Sequence, residues 1–551
     1  MAPLSKLANI YADLDRKKQL YTPIPRMILD MLRSPVAETT PESLYTVPAF
    51  SKLYDYQKEG VEFVVRRGGR AIIGDEMGCG KTSQACAVIQ HYDVSTLIFC
   101  PSSVKVNWQS EYNTFCRKEG EEGEIDGLYI LKNCKDPFRK RTIMTYGLLS
   151  SKEIVSRLIG AKFQMIVFDE SHSVKNVKSN RTKAALMISQ YARHVLLLSG
   201  TPSSRPSDLF AQLRMVWPTM KAANFYPYQG VMKPNVFYYA DRYCKPTMNK
   251  FGFKFNGAER KLELYTIMSH FMIRRSKDFA LPHLPPKTRE RIVIQTLSTS
   301  MRKWFSDQIT LASELEKEKG PRCADALKSK LVSKTADAKL KPTLTYIKDL
   351  VQSEMDTGFP NKILLFAYRH QMLDGIMQVL NNAGVDYINI DGRTPNTGTT
   401  RQALVDRFQQ TQSLRFAVLS IEAAGTGINL FKANMVIFAE LTWNTKTLAQ
   451  AEDRAHRNGQ LSRVAVRYLV LDGSTDCLAW ESMASKFKNM AAVLDNEQKT
   501  MQASKSVIRM TFDDEGGNDQ VVPVKRKHPG ADQDVHKYMC ITPLPDMAEG
   551  C

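Results

Sequence analysis

Residues 74–82 read Gly-Asp-Glu-Met-Gly-Cys-Gly-Lys-Thr, directly after the apolar run Ala71-Ile72-Ile73 and directly before a helix-like stretch. A strand, a glycine-bearing loop and a helix start make a cradle for phosphate groups. The loop's backbone N–H groups and the helix N-terminus face the anion, Lys81 adds a point charge, and the Thr82 hydroxyl suits magnesium. The first glycine usual in such a loop falls at Asp75, so the pattern is imperfect. The alternative is a glycine turn between a core strand and a core helix, with Lys81 solvated.

The chain has 551 residues, more than one hydrophobic core supports, which implies two or three domains. Apolar residues make up 43% and charged residues 24%, the balance of a globular protein. Nothing approaches the roughly eighteen consecutive apolar residues of a membrane span, and the N-terminus lacks an apolar signal core. The ten cysteines include no Cys-x-x-Cys pair, which argues for reduced thiols and against a structural zinc module. Lys and Arg outnumber Asp and Glu by 76 to 57, a net charge of +19. That excess points to a polyanionic partner, of which nucleic acid is the commonest, although it also serves solubility.

Short apolar runs ending at turns recur in both halves. In the first half they are Arg70–Ile73, Thr96–Cys100, Met165–Phe168 and His194–Leu198; in the second, Lys362–Ala367, Tyr387–Ile390, Phe416–Ser420, Met435–Ala439 and Val464–Val470. Such runs suit parallel sheets covered on both faces, so the expected fold is α/β, with two doubly wound lobes. The expected boundaries are an N-terminal extension 1–48, a first lobe 49–292, a helical linker 293–345, a second lobe 346–500 and a disordered tail 501–551. An aromatic, basic stretch at about 220–260 reads as a protrusion from the first lobe. A small packed cluster there is favoured over a base-stacking platform.

A phosphate cradle needs a magnesium carboxylate and a group that activates water. The run 164–168 ends in Asp169-Glu170-Ser171-His172. Asp169, at the strand's C-terminal edge, is placed to hold magnesium, and Glu170 to orient water at a γ-phosphate. Ser199, Gly200 and Thr201 follow a later strand and form a loop able to link that site to a nucleic-acid groove. Residues Gln450–Gln460 read as a helix ending at Gly459. Its spacing puts Gln450, Arg454 and Arg457 on one face, where two arginines could reach across a cleft to the γ-phosphate. A solvated charged helix is the plainer reading of that stretch taken alone.

In order, these pieces resemble the Swi/Snf-like ATPases of helicase superfamily two, from Leu53 to about Leu494. Asp75–Thr82 is similar to that family's phosphate loop, including the aspartate, with Cys79 where leucine is usual. His172-Ser-Val-Lys175-Asn176, Asp391-Gly392-Arg-Thr394, residues 419–430, Glu440-Leu-Thr-Trp443-Asn444 and residues 450–460 complete the set. The resemblance implies tandem RecA-like lobes with helical insertions and a DNA-dependent ATPase using ATP and Mg2+. It assigns Gln57 to adenine and Asp75, Gly78, Gly80, Lys81, Thr82, Gly427, Arg454 and Arg457 to nucleotide. Thr82 and Asp169 take the metal, and Lys81, Glu170, Arg454 and Arg457 are the catalytic set. Pro101, Ser102, Ser103, Ser199, Gly200, Thr201, Ser420, Asn429 and Trp443 contact DNA.

Within the family, the segments 199–210, 239–244, 271–277 and 451–457 are similar to annealing-helicase, fork-remodelling translocases. The implied function is an ATP-dependent double-stranded DNA translocase acting on duplex or branched DNA in repair. A chromatin or protein–DNA remodeller and a DNA-binding scaffold with an inactive ATPase core are the alternatives. The expected protein is a nuclear monomer, with Lys525-Arg526-Lys527-His528 as an import signal; a viral or bacterial source stays open. No membrane contact is expected.

Overall fold

The computed structural model describes residues 25–34, 36–117, 127–200, 205–220, 235–245, 247–249, 252–255, 257–319, 321–358, 361–395, 398–424, 428–442, 445–494 and 504–509. Among the described residues, nine strands precede the crossover into the second lobe. They are β1 (Arg70–Ile73), β2 (Thr96–Cys100), β3 (Tyr129–Ile130), β4 (Arg141–Thr145), β5 (Met165–Asp169), β6 (His194–Leu198), β7 (Thr247–Asn249), β8 (Gly252–Lys254) and β9 (Met272–Ile273). Seven of them form a wholly parallel sheet in the order β3-β4-β2-β5-β6-β1-β9, while β7 and β8 pair as a small antiparallel hairpin. The second sheet is also parallel. It contains β10 (Lys287–Gln295), β11 (Ile363–Ala367), β12 (Tyr387–Ile390), β13 (Phe416–Ser420), β14 (Met435–Phe438), β15 (Val464–Leu471) and β16 (Ser504–Arg509), in the order β12-β13-β11-β14-β15-β10-β16. The expected α/β class with two doubly wound sheets is what the chain forms.

The central strands are buried on both faces because helices cover both, so their sequences are continuous apolar runs rather than alternations. The rings of Phe99, Phe168 and Tyr146 stack on one face of the first sheet, as those of Phe366, Phe438 and Tyr468 do in the second. Among the described residues, no helix is long and apolar enough to cross a membrane. Two helices, Thr299–Lys319 and Pro321–Thr357, occupy the expected helical linker, and the second runs past it. The buried Lys339 fixes that second helix to the lobe through Asp476 at 2.7 Å. In the aromatic stretch, Tyr239 and Tyr243 pack into the first lobe's core rather than presenting faces to solvent.

Two boundaries differ from the sequence reading. Strand β10 straddles the expected boundary at 292 between the first lobe and the linker, yet pairs with β15 in the second sheet. Its first half, Lys-Thr-Arg-Glu-Arg, is polar and half-buried, so no apolar run announces it. The tail expected to be disordered supplies β16, which pairs in parallel with β10; residues 510–551 lie outside the described set.

Polar groups hold two of these strands in place. Asp75, just after β1, is completely buried, and Arg275, just after β9, grips it from Nε at 3.0 Å and Nη2 at 2.6 Å. Gln84 donates to the same carboxylate and accepts from Arg275. Helix Asp55–Arg66 crosses so near that a Cβ at Gly60 would lie 2.0 Å from Gln84 Oε1, which is why glycine stands there. In the second lobe, Glu452 is buried among Lys287, Arg289 and Tyr468 and anchors β10. Burial would push its carboxyl up, but the Lys287 and Arg289 charges outweigh that and hold it far below the ordinary range.

Arg275→Leu strands a buried carboxylate, for a cost of about 3–5 kcal/mol, read as a fall of about 6–20 °C in the first lobe's melting midpoint. Removing Asp75 as well should recover much of that loss. A lowered carboxylate pKa gives stability that is full above the unfolded value, about 4.3, and is lost as pH falls towards the folded value. Glu452→Gln should therefore destabilise the second lobe at pH 7. Its gap from wild type should shrink steadily between about pH 5 and pH 3 in denaturant titrations.

Candidate nucleotide site at the lobe interface

Every strand of a parallel sheet ends on the same edge, and the loops at that edge gather the expected residues. The loop after β1 runs from Gly74 to Gly80, where Gly78 and Gly80 take φ of +85° and +70°. A Cβ at Gly80 would lie 2.2 Å from Gln57 Nε2, so the loop needs glycine for both conformation and space. Helix Lys81–Tyr92 starts at once, and Lys81 Nζ curls back to the Asp75 and Glu76 carbonyls at 2.9 and 3.2 Å. Glycine turns, a helix start and the Lys81 ammonium thus converge at one loop, an arrangement whose chemistry suits a phosphate group.

Asp75 itself does not face the cradle. All its capacity goes to Arg275 and Gln84, which makes it the loop's anchor rather than a phosphate contact. Gln57 touches the loop from the other side. Its Nε2 donates to the Cys79 carbonyl at 3.2 Å and its Oε1 accepts from the Tyr54 N–H.

Asp169 ends β5, and Glu170 follows with φ of +51°, a strained conformation for a residue with a Cβ. The pair diverges electrostatically. Burial and then the Glu170 charge push the Asp169 carboxyl up to about 7, although Trp108 Nε1 donates to it at 2.8 Å. Burial also opposes ionisation of Glu170, but His172, Lys81 and Arg454 prevail and hold it below the usual range. His172 Nδ1 lies 3.1 Å from Glu170 Oε2 and 3.3 Å from Ser199 Oγ. The Glu170 Oε2 atom is buried without a hydrogen bond of good geometry.

The second lobe closes the site. Arg454 is near enough for its charge to act on Glu170, and burial, then Arg457, lower its own pKa to about 10. A Cβ at Gly78 would lie 3.0 Å from Arg457 Cβ, so the phosphate loop and the arginine turn are in close apposition. The segment is not the long helix expected. The helix Thr445–Glu452 stops at Glu452, and tighter turns follow, with Arg454 N–H bonded to Ala451 O and Gln460 N–H to Arg457 O. Glu452 and Asp453 are drawn to Lys287, Arg289 and Lys277, which ends the helical run, and Gly459 at φ +95° completes the turn. Arg454 Nη1 donates to the Ile428 carbonyl of its own lobe while its charge reaches Glu170, and the Arg457 charge reaches Glu111, both in the first lobe.

Of the expected DNA contacts, Ser102 is exposed and Pro101 half-buried at the C-terminal edge of β2. Ser199 is buried against His172, inside the nucleotide site rather than on an open groove, and Gly200 packs beside Met77 and Lys81. Ser420 is buried at the end of β13, and Asn429 carries a buried oxygen without a partner among the described residues. Thr201, Gly427 and Trp443 lie outside the described residues. The sequence reading missed Trp108 and Glu111, both on helix Lys105–Cys116. Glu111 meets the Thr82 hydroxyl and feels Arg457; burial pushes its carboxyl up. The Trp-x-x-Glu spacing, which puts both on one helix face, was the available signal.

Comparison with known proteins accords with this geometry. The SNF2-related domain matches residues 56–348, and the helicase conserved C-terminal domain matches residues 344–459. The Caenorhabditis elegans homologue of SWI/SNF-related matrix-associated actin-dependent regulator of chromatin subfamily A-like protein 1 is 34% identical over 514 residues, 91% of this chain and 71% of that protein. Its Xenopus tropicalis counterpart is 34% identical over 85% of this chain and 48% of its own length. The human DNA annealing helicase and endonuclease ZRANB3 is 34% identical over 82% of this chain and 41% of its own length. Thus the chain spans less than half of the frog and human relatives. A solved structure, the Sulfolobus solfataricus SWI2/SNF2 ATPase core in complex with dsDNA, aligns at 23% identity and TM-score 0.37 over 80% of this chain and 94% of that one. With its phosphate loop, acidic pair and facing arginines in place, the chain belongs to the SNF2-related family of DNA-dependent, helicase-like ATPases.

Proposed function

We propose that this protein is an ATP-driven translocase on double-stranded DNA that re-anneals strands and remodels branched structures such as replication forks. One observation carries the reading. The phosphate loop and acidic pair of one lobe face the arginine turn of the other, so hydrolysis and lobe closure are a single event. The relatives named as annealing helicases and the +19 charge support DNA as the track. A nuclear location goes with that work; the basic cluster 525–528 lies outside the described residues.

In this mechanism Lys81 and the loop N–H groups hold the β- and γ-phosphates, while Gln57, already bonded to the loop at the Cys79 carbonyl, takes the adenine. Glu170, kept ionised by His172, Lys81 and Arg454, orients the attacking water. Arg454 and Arg457 stabilise charge on the transferring phosphoryl group. The donor set suits a hard divalent cation: the Thr82 hydroxyl and the Asp169 carboxyl, whose charged form burial and the neighbouring Glu170 disfavour until a cation offsets them. Among the described residues no three His, Cys, Asp or Glu side chains gather into a cage, which matches magnesium, bound through few carboxylates, water and phosphate. When bound, magnesium would neutralise the phosphate oxygens. Thr82 would hold it directly and Asp169 through water, because both Asp169 oxygens already accept bonds from Trp108 and the Glu170 N–H.

A second reading, remodelling of protein–DNA complexes, is favoured by the chromatin-regulator names of the other relatives. ATPase rates with forked DNA, linear duplex, nucleosomes and RNA separate the two. Fork preference is expected, and equal rates on nucleosomal and bare duplex with no fork preference would overturn it. Lys81→Ala and Glu170→Gln should each cut DNA-stimulated turnover by about 10²–10⁴ while circular dichroism stays native. Arg457→Ala should lose about 10³ in turnover yet bind nucleotide within about threefold of wild type.

A further inference from the structure

The segment after β9 holds a residue that the hydrolysis mechanism above does not use. Lys277 begins a one-turn helix, Lys277–Ala280, capped by the Ser276 side chain. Its ammonium is buried, the side chain 6% exposed, and crosses into the second lobe. There it donates to Asp453 Oδ1 at 2.5 Å and to the His456 carbonyl at 2.6 Å. Those two acceptors bracket Arg454 and sit immediately before Arg457, so one cation holds the turn carrying both arginines. On its own lobe, the Lys277 N–H donates to Glu76 Oε2 at 2.8 Å, and the Glu76 N–H donates to the Arg275 carbonyl at 3.0 Å. Glu76 lies within the phosphate loop, and its carbonyl accepts from Lys81. A continuous hydrogen-bonded path therefore runs from Lys81, through Glu76 and Lys277, to the arginine turn.

Burying an ammonium costs several kcal/mol unless its partners are in place. Lys277 has them only while the second lobe is docked. Asp453 also keeps Lys287, at 3.1 Å, within its own lobe. On opening, the second lobe keeps that pair, whereas the Lys277 ammonium exchanges both of its acceptors for water.

We propose that Lys277 is a positioning residue that docks the arginine turn against the phosphate loop and couples the state of the loop to the placement of Arg454 and Arg457. The proposal rests on the reading of Arg457 as the residue that completes hydrolysis from the second lobe. It concerns assembly of the hydrolytic state, so nucleotide capture by the first lobe is untouched.

The test uses the full chain with Lys277→Met, Lys277→Arg, Asp453→Asn, the Met/Asn double variant and Arg457→Ala, assayed for DNA-stimulated kcat, KM for ATP, binding of a fluorescent ADP and melting midpoint. Lys277→Met should lower kcat about 10- to 100-fold with KM and ADP affinity within about twofold of wild type. Lys277→Arg should restore at least about half of the activity. The double variant should lose little more than Lys277→Met alone, since the two residues act as a unit. An unchanged kcat, additive losses, or a kcat loss matched by falls in ADP affinity and melting midpoint would each overturn the positioning role. If Arg457→Ala itself keeps full turnover, the reading of that arginine fails instead, so the two failures are told apart.

Discussion

The buried pair of Asp75 and Arg275 is the contact on which the rest of the molecule depends. A phosphate loop must present its N–H groups outward and cannot be braced by its own backbone. Here the brace is a carboxylate at its base, locked in two dimensions by a planar guanidinium from the far end of the same lobe. With the loop's base fixed, Lys81, Gln57 and the tight glycines fall into register around it. The same stretch that supplies Arg275 supplies Lys277, so the brace and the inter-lobe contact share one piece of backbone.

The acidic pair shows how two adjacent carboxylates take different roles. Burial raises Asp169, while cations from both lobes keep Glu170 charged. One of those cations, Arg454, belongs to the second lobe. The lobe arrangement thus helps to set the protonation state of Glu170, and a cleft without Arg454 in place would carry a different electrostatic site.

Much of this was legible in the sequence because the strands that position the site are buried on both faces. Arg70–Ile73, Thr96–Cys100, His194–Leu198, Tyr387–Ile390 and Phe416–Ser420 begin and end where their apolar runs do. Strands whose sequences are not continuous apolar runs of useful length were not legible. Arg141–Thr145 mixes polar residues into its run, Tyr129–Ile130 and Met272–Ile273 are too short to register, and Lys287–Gln295 is charged through its first half. The arginine turn misled for another reason. Its spacing is helical, but tertiary ion pairs to Glu452 and Asp453 override local preference, a competition no local window contains. Similarly, Asp75 reads as a loop residue until its partner 200 positions downstream is seen.

Because Lys287–Gln295 belongs to the second sheet, the covalent leash between the lobes is short. After the helical turn ending at Ala280 only residues 281–286 remain before β10, and three of these six are Pro282, Pro285 and Pro286. Fully stretched, six residues span about 20 Å, and proline rings keep them stiff. The leash keeps the second lobe from drifting away and leaves swinging about a pivot as its main freedom. Were the cleft to part, its two halves would stay at a high effective concentration of each other, and any return would be a rotation of limited arc.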